Sequence, residues 1–442
     1  MGVRYERCSR RARHRNLFEQ VIDFSAGNVG GRLRGRGRAT LDLQSRRPEA
    51  MTSLLSAKSE RIAVIALIAL AAVLRMTAAA VLPDQSSALV DALAYRELAA
   101  RLWSDGQIAG LYQMPLYPLL IAVVGPSIGQ LGADIALSVT SVWLVYALAD
   151  QLFSDQYARI FAMAAVACYP PLIFFSVVGL SETLFITLIL AAFLCWYRAR
   201  FTAAAFFAVL AVLTRPVFDV FAPALVVFFA LVVHRQSFKK AVQHLAVYVL
   251  VYCALMSLWW ANNYKVYGDF VRLTLGGGTA LYAGNNPLNR TGGGNLHIDY
   301  SLDGFANIAN PIERDRALRN AAVSYIVQNP QRFAELAALK FLRIWRLWPV
   351  HEAYRTTAAV VVLVASLVPV LLLAGLGLYV NWNQLRRLSP VLLFGIGYTA
   401  VHMILVGTIR YRLPLEPFLI ILAGAGASYL IRYFALGSRK SG

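Results

Sequence analysis

Charge is scarce in this sequence: 15% of its 442 residues are Asp, Glu, Lys or Arg, against 58% hydrophobic. A soluble domain carries roughly a quarter of its residues as charges, so a soluble fold is excluded and the bilayer is the solvent. Cysteine is also scarce. Cys8, Cys168, Cys195 and Cys253 sit in a basic tail or inside apolar segments, with no CxxC pair and no histidine at ligand spacing, which speaks against both disulfides and a metal site. No GxGxxG or P-loop follows a strand pattern, and His297, His351 and His402 are too scattered to suggest a metal cluster, so no cofactor is expected.

What the sequence has in quantity is positive charge of uneven distribution. The formal net charge is +19, with the cations concentrated in the N-terminal tail, at the ends of apolar segments and in one long polar stretch. That placement points to membrane-surface phosphate as the partner rather than nucleic acid. Residues 1–50 hold twelve arginines and no lysine, without apolar periodicity, and are expected to be disordered. Their five acidic residues and lack of an apolar core argue against a targeting peptide. Met51 opens MTSLLSAKSERIAVIALIAL, a short basic lead into a first helix, and a chain starting there loses nothing structural. Residues 51–442 are expected to form one membrane domain.

Apolar stretches long enough to approach or cross ~30 Å of hydrocarbon run over 62–81, 135–153, 160–178, 183–197, 201–213, 217–233, 242–261, 357–379, 391–408 and 413–431, predicting an all-α polytopic membrane protein with about ten transmembrane helices. The segment MPLYPLLIAVVG, 114–125, is shorter than a span. If it does not cross, the basic loops at Arg198/Arg200, Arg235/Lys239/Lys240 and Arg386/Arg387 all fall on the side of the basic N-terminus, as the positive-inside rule requires. If it crosses, they all invert. It is therefore expected to lie in the outer interface, which leaves two large loops outside, 82–133 and 262–355. In the first, Asp91, Tyr95, Leu98 and Leu102 recur at helical spacing. The second opens on LGGGTALYAGNNPLNRTGGGN, which reads as a flexible loop, continues into a helical stretch over 311–328, and closes on the aromatic and basic FLRIWRLWPVHEAYR.

Ionisable residues at the outer ends of spans need a reason, because a charge in hydrocarbon costs at least ~2.5–3.5 kcal/mol. They are Arg75, Glu182, Arg215 and the group Arg410, Arg412 and Glu416. Snorkelling and mutual pairing, for instance Arg215 with Glu182, is one explanation. An anion pocket is the other: several guanidinium forks converge on one leaflet beneath a loop bearing Asp84 and Asp91. Asp91 reads either as a helix N-cap or as a carboxylate able to take a proton from a hydroxyl.

The order of DALAYRELAARL, PLYPLL, SETLF, LTRP, YAGNNP and RYRLPLEPFL resembles the GT-C membrane glycosyltransferases, and among these the bacterial relatives of the protein O-mannosyltransferases and the lipid A aminoarabinose transferase. The resemblance runs from about Arg61 to the C-terminus. It implies an inverting transfer from a polyprenyl-phosphate sugar to a lipid, glycan or protein acceptor, on the periplasmic face of a bacterial inner membrane. Asp91 would be the base, with Asp84 the other candidate, and Arg215, Arg410 and Arg412 would contact the donor phosphate. Arg75 joins this set by its place at the outer end of a span, and Glu182, Asn285, Asn286 and Glu416 by their motifs. Two places depart from the pattern: Gln113 before PLYP and Asn262 after the Trp pair stand where the family commonly shows cations, with Lys265 the residue that could compensate. A transporter for a lipid or sugar is the competing class, but such proteins commonly show internal repeats and midplane sites, and no repeat is found here.

Overall fold

The computed structural model describes residues 57–82, 89–294, 304–348 and 356–438; the tail 1–50, Asp84, His297 and His351 lie outside the described residues. Among those described, every regular element is helical: α1 (Ala57–Val81), α2 (Val90–Asp105), α3 (Leu116–Val124), α4 (Ile128–Leu152), α5 (Gln156–Cys168), α6 (Pro170–Phe175), α7 (Glu182–Tyr197), α8 (Phe201–Thr214), α9 (Ala222–Phe228), α10 (Phe238–Tyr267), α11 (Gly276–Gly284), α12 (Pro311–Gln328), α13 (Pro330–Ile344), α14 (Thr357–Val380), α15 (Leu385–Ile404) and α16 (Glu416–Ser438).

Among the described residues, seven helical stretches are long and apolar enough to cross a membrane: Lys58–Val81, Ile128–Leu152, Pro216–Val233, Phe238–Tyr267, Thr357–Val380, Trp382–Ile404 and Ile409–Ala435. The three other segments expected to cross are the shorter apolar helices α5, α7 and α8. The span expected over 160–178 is broken because Pro170 and Pro171 follow Tyr169, and a residue before proline is held extended, here at φ −74° and ψ 111°. Helix α7 is apolar all round and buried along nearly its whole length, so it forms the centre of the bundle. Helix α16 packs through small residues. A Cβ at Gly424 would stand 2.3 Å from the carbonyl oxygen of Ala158 in α5, and one at Gly426 2.1 Å from that of Leu373 in α14.

Contacts at the helix ends sort the connections. At one end, Glu60 at the start of α1 accepts from Tyr146 near the end of α4 and from Arg159 at the start of α5. The Tyr197 hydroxyl, closing α7, donates to the carbonyl of Arg387 at the start of α15, and Phe201 of α8 stacks on His244 of α10. The basic turns around Arg198, Lys239 and Arg386 are thus together. At the other end lie α2, α3 and α11–α13. Helix α3 has nine residues, about 13 Å, and is too short to cross. The Trp103 indole N–H donates to the carbonyl of Ala122, tying α2 to it.

The second long segment differs from its sequence reading. Helix α10 runs on past Asn262 to Tyr267, and Pro311–Gln328 is helical as expected. The glycine run is not a flexible loop: Gly276–Gly284 is helix α11. Its glycines serve close approach, since a Cβ at Gly278 would meet the Asp315 carbonyl oxygen at 2.0 Å and one at Gly284 the Leu405 carbonyl oxygen at 1.7 Å. Helix α13, unanticipated, carries Leu336, Lys340 and Ile344 on its buried face.

Candidate functional site

Four of the sequence-selected residues meet at the end of the bundle where α2 crosses it. Arg215 closes α8 in an extended conformation, φ −144°, imposed by the proline that follows it. Its Nη2 donates to Glu182 Oε1 at 2.7 Å, and its Nε to Ser181 Oγ at 3.3 Å. Glu182 is the first residue of α7, where the helix N-terminus favours a carboxylate, and it is fully buried. Arg410, in the three-ten turns Ile409–Leu415 before α16, also reaches Glu182 with Nε and Nη2, and its Nη1 pairs with Asp91. Asp91 is therefore not the N-cap of α2. That position is Leu89, which gives no side-chain cap, and Asp91 stands in the first turn with its carboxylate 48% exposed. Tyr95, one turn on, shares a 2.9 Å hydrogen bond with Ser181 Oγ and stacks edge-on against Tyr117.

Asp91, Arg215 and Arg410 line one cavity of about 760 Å3. The same cavity is lined by Arg272, Arg316 and Arg319, which the sequence alone did not single out, with Tyr112, Gln113 and the start of α11. Arg272 pairs with Asp219, and Arg319 with Asp315 at 2.7 Å. The other oxygen of Asp315 accepts from Gly278 N–H at 2.7 Å, so this carboxylate holds α11 on α12. Asp91 is the half-exposed carboxylate on a wall otherwise rich in guanidinium, and the cavity is suited to an anion.

Other expected members stand elsewhere. Arg75 is sealed in the bundle, not in the cavity. Its guanidinium donates to Ser138 Oγ at 2.6 Å and to the carbonyls of Ala71 and Ala167 at 3.0 Å and Val166 at 3.5 Å. The helical partner of Ala167 would be Pro171, which has no N–H, and Arg75 supplies the missing donor; the Val166 carbonyl, whose helical partner would be Pro170, also accepts from Tyr169 N–H at 3.4 Å. Arg412 lies two residues from Arg410, on another side of the three-ten turns. It is buried against Glu416 at 2.7 Å and the carbonyls of Ile344 and Arg346, so neither Arg412 nor Glu416 faces the cavity. Lys265 is exposed and does not line the cavity. Asn262 exchanges two hydrogen bonds with the backbone of Ile108, a structural pin, whereas Gln113 does line the cavity. Asn286 caps Leu288 and Asn289 N–H in a tight turn. Asn285 accepts from Lys340 Nζ at 2.9 Å, and both donate to the carbonyl of Ile404 at the end of α15. Lys340 is fully buried with no carboxylate partner among the described residues, and burial pushes its ammonium down to about 8. The signal that finds it is register: it falls four residues after Leu336 and four before Ile344, on the apolar face of α13.

No protein-family model and no curated protein matches the sequence. Solved structures do match the fold. The apo oligosaccharyltransferase of Archaeoglobus fulgidus superposes with a TM-score of 0.52 at 13% identity, over 88% of this chain and 52% of that one. The oligosaccharyltransferase AglB from Archaeoglobus fulgidus, in complex with an inhibitory peptide and a dolichol-phosphate, gives 0.51 at 12% identity, over 86% and 52%. ArnT from Cupriavidus metallidurans bound to undecaprenyl phosphate gives 0.42 at 14% identity, over 82% and 77%. The chain spans about half the length of the oligosaccharyltransferases. At these identities the likeness is one of fold, and the fold is GT-C-like: a multi-pass helical membrane protein with its long connections gathered at one end.

Proposed function

We propose that the chain is a membrane glycosyltransferase that moves a sugar from a polyprenyl-phosphate donor to an acceptor hydroxyl, with inversion. The observation that carries this reading is the meeting of Asp91, Arg215 and Arg410 on one cavity wall at the end of apolar helices. Such a donor keeps its isoprenoid tail in the bilayer and its sugar phosphate at the interface, and it needs a cavity at that depth. Arg215 and Arg410 bind the phosphate oxygens through their forks. Arg410 is shared between Asp91 and Glu182; a phosphate competes for it and releases Asp91. Asp91 then takes the proton of the acceptor hydroxyl while the oxygen attacks the anomeric carbon from the face opposite the phosphate. The bond from that carbon to the phosphate oxygen breaks, its electron pair stays on the phosphate, and the arginines stabilise the charge. The step draws on no cofactor. The dolichol-phosphate bound by the archaeal oligosaccharyltransferase supports a lipid-phosphate ligand for this fold. A bacterial inner membrane with the cavity on the periplasmic side is the setting this chemistry fits, and the acceptor is a lipid, glycan or protein.

Mass spectrometry of envelope lipids, glycans and proteins from a deletion strain tests the reading. One glycoconjugate is expected to lose a single hexose or pentose and to regain it on complementation with the wild-type gene. An unchanged glycoconjugate profile, with altered lipid distribution between leaflets instead, would favour a transporter.

A further inference from the structure

The turn that carries Arg410 toward the cavity begins at the end of α15, and it is held from outside the bundle. Residues Leu405 and Gly407 thread between α11 and α13. A Cβ at Gly284 would lie 1.7 Å from the Leu405 carbonyl oxygen, and one at Gly407 would lie 2.6 Å from the Lys340 Cα. Gly407 N–H donates to the Gly292 carbonyl at 3.3 Å, and Arg343 Nε to the Gly407 carbonyl at 3.2 Å. At the centre is the buried Lys340 amine. It donates to Ile404 O and to Asn285 Oδ1, and Asn285 Nδ2 donates to the same Ile404 oxygen. Ile404 is the last residue of α15, so its carbonyl has no helical partner and a cation there completes the helix end.

We propose that Lys340 is a positioning residue: by closing the end of α15 it fixes the turn 405–408 and, through it, the place of Arg410 on the cavity wall. The role in catalysis rests on the glycosyltransferase reading, since Arg410 is there the phosphate ligand; the mechanical part does not. A lysine whose only task is to support the bundle would loosen α7, α15 and α16 together. A positioning lysine loosens the turn.

Hydrogen exchange on the full-length chain in detergent, without ligand, separates the two. In Lys340→Met, the amides of 405–411 are expected to exchange at least ~10-fold faster while those of α7 and α16 keep their protection. Gly407→Ala, which displaces the same turn and leaves the amine in place, is expected to do likewise and serves if Lys340→Met does not fold. Unchanged exchange at 405–411 in a folded variant, or acceleration spread through the bundle, would overturn the proposal. The link to the site is read with undecaprenyl phosphate as the probe. Lys340→Met is expected to weaken binding ~5-fold or more with Arg410 present and not at all in an Arg410→Ala background. Losses that add in full would show that Lys340 does not act through Arg410. If exchange responds as expected but Arg410→Ala binds the probe like wild type, the turn is held by Lys340 and it is the phosphate-binding reading that fails.

Discussion

Arg75 and Arg410 belong to the same rare class, arginines at the ends of apolar helices, yet the molecule treats them differently. Arg75 is fully buried and faces a hydroxyl and carbonyls, that of Ala167 stranded by Pro171. Arg410 is partly exposed, faces two carboxylates and lines a cavity. An arginine that satisfies backbone oxygens completes a helix, whereas one held by acids beside an open cavity can exchange those acids for a ligand. Lys340, under the end of α15, belongs with Arg75 in its surroundings, although the helix it closes leads to the site.

The comparison can be broken or sharpened by substitution. Arg410→Ala should weaken undecaprenyl phosphate binding roughly 10- to 100-fold, as a lost charge-assisted hydrogen bond worth ~1.5–3 kcal/mol implies. Arg75→Met should leave that affinity unchanged and instead lower the unfolding free energy by about 2 kcal/mol, the cost of stranding buried carbonyls. Equal effects of both on affinity would erase the distinction. Arg215→Lys should lose roughly fivefold in affinity, because the charge remains and the fork does not. The smallest effect concerns pH. The Lys340 ammonium, lowered by burial from 10.5 to about 8, loses its proton in the folded chain first, so stability should rise with pH between about 8 and 10.5 and level off on either side of that window. The gain from pH 8 to 9 is about 1 kcal/mol, measurable by thermal unfolding, and should vanish in Lys340→Met.

The apolar segments were legible because a bilayer imposes length and composition on each of them, and seven recur as helices of spanning length. The pairing of Glu182 with Arg215 was legible because two opposite charges near one end of the bundle have few other partners. The link from Arg410 to Asp91, 319 residues apart, was legible as a shared face but not as an ion pair. The glycine run was misread because glycine signals a loop and close packing alike, and the partners that decide, Asp315 and Leu405, are distant in sequence. Arg75 was placed in the site because the carbonyls it satisfies in α5 lie more than ninety residues away. Arg272, Arg316 and Arg319 were not singled out because arginines in a long polar segment, in loop or helix, look like any solvated charge until they line a cavity with Asp91.

The central claim is that Asp91 is the base of a transfer site, and its most direct test is the rate of sugar transfer by Asp91→Asn with the donor that a deletion strain accumulates. Asn keeps the shape, and Asp91 does not cap its helix, so folding should be retained. The account predicts a fall of ~10²-fold or more, with Asp84→Asn less harmful. It also predicts undecaprenyl phosphate binding at least as tight as wild type, because Arg410 loses a competing carboxylate. Transfer at the wild-type rate by Asp91→Asn would contradict it.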